Sequence, residues 1–150
     1  MVEISSRYPV LEVAKYLKYL GVTTNLRLNK LLYFIQAYFL VLNEGKEALF
    51  YEDIVVFPYG PVVVKVFNTF NKSEIIPVNS NLISIADKKL IKEVHDYFKN
   101  DKDMTLVNIT KQYDIYINLW EKEVSKSRPF VNNEILSKEM IYNYHIKQGF

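Results

Sequence analysis

Leu28 to Leu42 reads L-N-K-L-L-Y-F-I-Q-A-Y-F-L-V-L. After a short polar break, Leu49 to Phe70 reads L-F-Y-E-D-I-V-V-F-P-Y-G-P-V-V-V-K-V-F-N-T-F. The first run has apolar residues around most of a helical circumference: Leu28, Leu31, Leu32, Phe34, Ile35, Tyr38, Phe39 and Leu42. A helix apolar all round belongs at the centre of a core. Thr23 or Thr24 is placed to cap it, and Asn43, Gly45 and Lys46 end it, giving a helix over about 25–43. The second run is β-branched and aromatic from Leu49 to Phe57, which reads as a strand broken at Glu52-Asp53 and stopped by Pro58. Gly60-Pro61 then opens a helix over about 62–70, with Pro61 near its first position.

Working outward, Pro9 starts a helix carrying Val10, Leu11, Val13, Ala14, Leu17 and Leu20, closed by Gly21. Ile75 to Val78 reads as a second strand able to pair with the first. Ser84 with Asp87 resembles a capping box for a helix whose inner side is Leu90, Ile91, Val94 and Phe98. A helical region from about Thr105 to Val124 breaks near Tyr113-Asp114 and includes Trp120. Ser127-Arg128-Pro129 is a turn. Ser137 caps a last helix with Met140, Ile141 and Tyr144 inward. The expected fold is mainly α (α+β): a compact helical domain of six to seven helices with a small two- to three-stranded β ribbon, one domain over 1–150.

Composition narrows the chemistry. A chain of 150 residues holds a core without staples. It has no cysteine, which removes disulfides, thiol catalysis and thiolate zinc sites. A formal charge of +2 is too small for a nucleic-acid footprint. The start of the chain reads as no signal peptide, and the Leu31–Leu42 run is too short to span a bilayer. The expectation is a cytoplasmic protein with no membrane partner. His95 and His145 lie in different helices without ligands at metal spacing, so no metal and no cofactor are expected. Glu52-Asp53, adjacent on a strand, would point to opposite faces and make a poor shared acid site. There is no nucleophile elbow and no glycine-rich phosphate loop. An enzyme is not expected.

Several residues invite a binding role. Lys30 is the lone charge in its apolar helix. It is read as running its stem along the helix to a nearby carboxylate, or as contacting an acidic group on a partner. Tyr59-Gly60-Pro61 is read as a strand-to-helix corner, or as an exposed helix N-terminus able to receive an anion. The 12 tyrosines exceed what a core buries easily, which favours an aromatic binding surface. Helix, Gly21-Val22-Thr23, helix also has the outline of a helix-turn-helix. The second helix offers only Arg27 and Lys30 as cations beside a large apolar area, which disfavours nucleic acid.

Two motifs together resemble a known family. Leu28-Asn29-Lys30-Leu31-Leu32-Tyr33-Phe34 is similar to the L-x-K-L-L-Y-F signature of the Panacea-domain (SocA-like) antitoxins. Leu49-Phe50 followed by Tyr59-Gly60-Pro61-Val62 is similar to the family's L-F then Y-G-P-V pattern. The strong part covers about residues 10 to 70. Further on, the family's Thr-His pair is Thr110-Lys111 here, with Trp120 at the family's tryptophan distance. The resemblance implies a mostly helical antitoxin, of bacterial or phage origin, that neutralises a cognate protein toxin by direct binding. A protease or chaperone to which the toxin is delivered is a further partner it suggests. The expected partner-binding residues are Lys30, Tyr33, Tyr59, Lys65 and Trp120. A DNA-binding regulator is the alternative.

Overall fold

A computed structural model describes residues 3–150. The elements run β1 (Ser5–Tyr8), α1 (Val10–Tyr19), α2 (Asn25–Leu42), β2 (Glu47–Phe50), β3 (Ile54–Phe57), β4 (Gly60–Val62), α3 (Val64–Lys72), α4 (Ile85–Phe98), α5 (Asp103–Lys111), α6 (Asp114–Val124), β5 (Ile135–Leu136) and α7 (Lys138–Gln148). The mainly helical reading with a small ribbon holds. The strands form two pieces: β1 and β2 pair in parallel, and β4-β3-β5 form an antiparallel three-stranded sheet.

Helix α2 is the hub. It packs on α1, α3, α4, α5, α7, β2 and β4, and all of Leu28 to Ala37 is buried. Both helix ends before the ribbon close by the same device. Past α1, Val22 N donates to Leu17 O and Gly21 N to Lys18 O, with Gly21 at φ 111°. Past α2, Gly45 N donates to Leu40 O and Glu44 N to Val41 O. These are Schellman pairs, which turn the chain back while using the last carbonyls. Thr24, Ser84 and Ser137 cap α2, α4 and α7 through their side-chain oxygens, accepting from Arg27 N, Asp87 N and Met140 N.

Three expectations are corrected. Gly60-Pro61 does not open a helix. Gly60–Val62 is the strand β4, and the helix starts at Val64. The extended backbone that valines prefer continues through Val62 because β3 offers a partner: Val55, Val56 and Phe57 pair with Val62, Pro61 and Gly60. Tyr59-Gly60 is therefore part of a hairpin, not a strand-to-helix corner or a helix N-terminus. Second, Ile75 to Val78 forms no strand. Val78 N donates to the Lys15 carbonyl in the middle of α1, and β3 finds its partners in β4 and β5 instead. Third, Glu52 and Asp53 lie in the bend between β2 and β3, not on a strand. Glu52 Oε1 accepts from Val10 N at 2.9 Å and satisfies a free amide at the start of α1. The strands β1 and β5 are additions that the sequence pattern did not announce.

Serine and tyrosine replace half of the expected capping box at α4. Ser84 Oγ accepts from Asp87 N, but Asp87 does not reach back to Ser84 N. Tyr8 does so in its place: its hydroxyl donates to Asp87 Oδ2 at 2.6 Å and accepts from Ser84 N at 3.1 Å. Arg7 closes the group, gripping Asp87 with one nitrogen and Glu47 with the others. This ties β1 to β2 and to the start of α4.

Helix α2 also finishes the ribbon's edges. Gln36 is buried; its Oε1 accepts from Leu49 N at 2.8 Å and its Nε2 donates to Phe50 O at 3.1 Å. Gln36→Leu keeps the size but strands a buried amide and a buried carbonyl. It should lower unfolding stability by about 2–4 kcal/mol, because each orphaned buried polar group costs roughly 1–3 kcal/mol. Denaturant unfolding compared with wild type reads this directly.

Candidate interaction site

The two signature stretches meet at one joint. Helix α2 places Asn29 and Lys30 opposite the strand β4, whose outer edge has no strand neighbour. Asn29 Oδ1 accepts from Val63 N at 2.9 Å, while its amide nitrogen donates to Asn25 O and Oδ1. Lys30 Nζ donates to Pro61 O at 2.8 Å. Gly60 sits between them at φ 106°. A Cβ there would stand 2.7 Å from Thr110 Oγ1 and 2.9 Å from Lys30 Cε. Glycine is needed twice over: for the left-handed backbone and for the close approach of Lys30 and Thr110.

Lys30 is 0% exposed. It neither runs to the surface nor meets a carboxylate, which corrects the sequence expectation. Burial pushes its pKa down from 10.5 to about 7. Tyr33 is 1% exposed, and its hydroxyl lies 2.7 Å from His145 Nε2. His145 Nδ1 lies 2.7 Å from the Gly149 carbonyl, which can only accept. Nδ1 therefore holds the proton, and Nε2 accepts from the Tyr33 hydroxyl. Burial lowers the His145 pKa and raises that of Tyr33 well above its ordinary value. Lys30 is thus part of the joint and Tyr33 part of the contact between α2 and α7, and both are buried in this fold.

The other three residues named from sequence lie outside. Tyr59, at the hairpin tip, is 61% exposed. Lys65 is exposed in the first turn of α3. Trp120 on α6 is half-buried. The hairpin and α6 are joined by Tyr116, whose hydroxyl donates to the Phe57 carbonyl just before the tip. Trp120 stacks on Tyr116 with centroids 6.1 Å apart, and Phe130 leans on Trp120 at 5.6 Å. Tyr116 thus holds together the hairpin that carries Tyr59 and the helix that carries Trp120, and Phe130 extends the Trp120 side.

Phe130 is the residue the sequence did not flag. It is 45% exposed and holds φ at 68°, a left-handed backbone that a bulky side chain rarely adopts. Such strain persists where surrounding contacts over-determine it. Here the brace is Glu123, buried at the end of α6. Its two oxygens accept from Phe130 N at 2.9 Å and Glu134 N at 2.7 Å, and Lys126 Nζ stands at 3.1 Å. Burial pushes the Glu123 carboxyl up, but the two amides and Lys126 outweigh it and hold it below its usual range. The loop is rigidly tied, and it shows solvent an aromatic ring beside Val131, itself largely exposed. The signal in sequence was Phe130-Val131 following a proline turn, an apolar pair in a polar stretch.

Among the described residues, no three or more histidines, cysteines or acids gather where a metal could sit, and no helix is long and apolar enough to cross a membrane. His95 is half-buried at the rim of α4; its Nδ1 is buried without a partner, and burial lowers its pKa. With the buried flanks of α2 occupied on every side, that helix has no face free to enter a DNA groove.

A family model described as antitoxin SocA-like, Panacea domain, matches residues 28–141. No curated protein and no solved structure matches the chain.

The buried lysine makes a testable pH dependence. The unfolded chain holds the Lys30 proton up to about pH 10.5, the folded chain only to about pH 7. The penalty for burying the charge is complete below about pH 7 and gone above about 10.5, so this group makes stability rise with pH between the two. Lys30→Met removes the titration. Wild type should gain about 2–3 kcal/mol relative to that variant between about pH 7 and 9.5, at 1.36 kcal/mol per unit. Urea unfolding of both proteins at the two pH values measures it; parallel curves would show that Lys30 is not held neutral.

Proposed function

This chain belongs to the antitoxin SocA-like, Panacea domain family, and we propose that it acts as an interaction module that binds a cognate protein toxin and blocks it sterically, with no bond made or broken. Family membership supports the antitoxin role. The observation that carries the mechanism is the aromatic face at the hairpin tip and α6. Tyr59, Trp120 and Phe130 offer rings and apolar area that water covers poorly, on elements that are already ordered. Rigid aromatic side chains lose little entropy on binding and form the energetic centres of interfaces. Lys65, next to the hairpin, adds a cation at the rim, where charge steers encounter more than it adds affinity. Lys30, Tyr33 and His145, whose titration burial shifts, are packed in the interior, Lys30 against the Pro61 carbonyl and Tyr33 against His145. This favours a binding role over catalysis. Presenting the bound toxin to a protease is a further step of the same proposal and would use a surface other than this face.

The test is co-expression with the adjacent open reading frame. The neighbour alone should stop growth, and this chain should restore it. Trp120→Ala combined with Phe130→Ser should abolish rescue while leaving the unfolding midpoint within a few degrees of wild type. The expected loss of affinity is about 30-fold or more, the size of a hot-spot truncation. A harmless neighbour, or full rescue by the double variant, would sink the reading.

A further inference from the structure

A second surface feature lies apart from the aromatic face and shares no residue with it. Helices α2, α4 and α5 and the end of the chain enclose an open slot of about 420 Å³. Phe34 and Phe98 stack at 4.5 Å on one side. Tyr38 and Phe150 meet edge to face at 5.9 Å on another. Tyr97 stands at the mouth, 79% exposed and edge-on to Phe98 at 4.9 Å. One charged side chain lines the slot, Glu93 on α4. Glu93 makes no ion pair among the described residues. No lysine, arginine or histidine lines the slot.

The lining selects its occupant by charge. Ring faces carry negative quadrupoles and attract cations, and a free carboxylate at the same place adds to that field. An anion would be repelled. An apolar side chain would fill the slot but strip water from Glu93 without giving it a partner, which costs free energy. A long aliphatic stem ending in a positive charge satisfies both parts at once. We propose that this slot docks an arginine or lysine side chain of a polypeptide partner, its stem between the rings and its cation against Glu93. Arginine fits best, because a planar guanidinium stacks on rings and pairs with a carboxylate in one pose. The proposal rests on the reading of this chain as a binding module and names one chemical feature of what it binds.

The experiment uses the full chain, labelled for NMR, and two capped tripeptides: acetyl-Ala-Arg-Ala-amide and its citrulline counterpart. Citrulline keeps the shape of arginine and removes the charge. The arginine peptide should shift the amides of residues 93–98 and the Phe150 resonance. It should bind at least about fivefold tighter than the citrulline peptide, the size of a partly exposed cation–π contact. Glu93→Gln, an exposed substitution that should leave the unfolding midpoint unchanged, should reduce that difference, leaving the part due to the rings. Equal binding of the two peptides, no response to arginine at about 20 mM, or an unchanged preference in Glu93→Gln would overturn the proposal. The growth assay separates the two readings. Rescue without peptide discrimination leaves the antitoxin role standing and removes the slot. Discrimination without rescue does the reverse.

Discussion

The fold depends on a helix doing the work that strands ordinarily do for each other. The strands here are two to four residues long, and sheets this narrow leave edges with unpaired amides and carbonyls. Buried, those groups must find partners. Helix α2 supplies them from side chains. Gln36 covers the open edge of β2, and Asn29 and Lys30 cover that of β4. Asn29, Tyr33 and Gln36 recur at helical spacing, so with Lys30 they form a polar rail along a helix whose remaining buried positions are apolar. Without the rail the ribbon could not be buried against the helix. Without the ribbon the rail would be a set of orphaned polar groups in the core.

The rail also fixes register. Leucines slide past one another at modest cost, whereas an amide 2.9 Å from its acceptor does not. Asn29 and Gln36 hold β4 and β2 at two points along α2, and the hairpin tip is thereby aimed. Lys30 is the costly member. A carbonyl accepts one of its hydrogens but does not neutralise its charge, so the fold favours the neutral amine. Gly60 is the counterpart of that cost: it lets Lys30 and Thr110 close around the backbone, excluding water and anything with a Cβ. Buried polar groups of this kind weaken a fold relative to an apolar core and narrow the number of ways it can pack.

Periodicity revealed most of the helices. Ser84 and Ser137 were legible as caps, and Thr24 as one of two candidates beside Thr23, because capping is local: three residues decide it. The break at Tyr113-Asp114 was also legible, although Tyr113 starts α6 without a side-chain cap. The strand β4 was not. Gly-Pro before a valine run satisfies the pattern of a helix start as well as that of a strand, and the choice is made by β3, which offers hydrogen bonds that local sequence does not encode. The strand β5 lies far from β3 in sequence and is too short to show alternation. Lys30 was misread because a lone charge in an apolar helix has a standard resolution at the surface. Finding its real partner required knowing that the Pro61 carbonyl would face it. The pairing of Tyr33 with His145 was equally remote. At the surface, Tyr59 and Trp120 could be named as aromatics, but Phe130 gains its meaning from a brace, Glu123, whose contacts depend on how the following loop folds back.

The residues that identify the family and those that could touch a partner overlap at Tyr59 alone. Of the signature residues, Lys30, Gly60 and Pro61 are buried in the joint between helix and hairpin, and Tyr33 is buried against His145 on α7. The signature marks a scaffold. Tyr59 projects from the hairpin that the joint aims; Trp120 and Phe130 sit on a helix pinned to the same hairpin through Tyr116; Glu93 and Tyr97 lie on a separate helix. None of these positions has to change for the joint to be kept, and none is kept because the joint is. Substituting the polar rail leaves buried groups without partners, whereas substituting the rings and the carboxylate outside it does not. Specificity should then be sought in the exposed rings and in the charge at the slot, and stability in the buried polar stripe of α2.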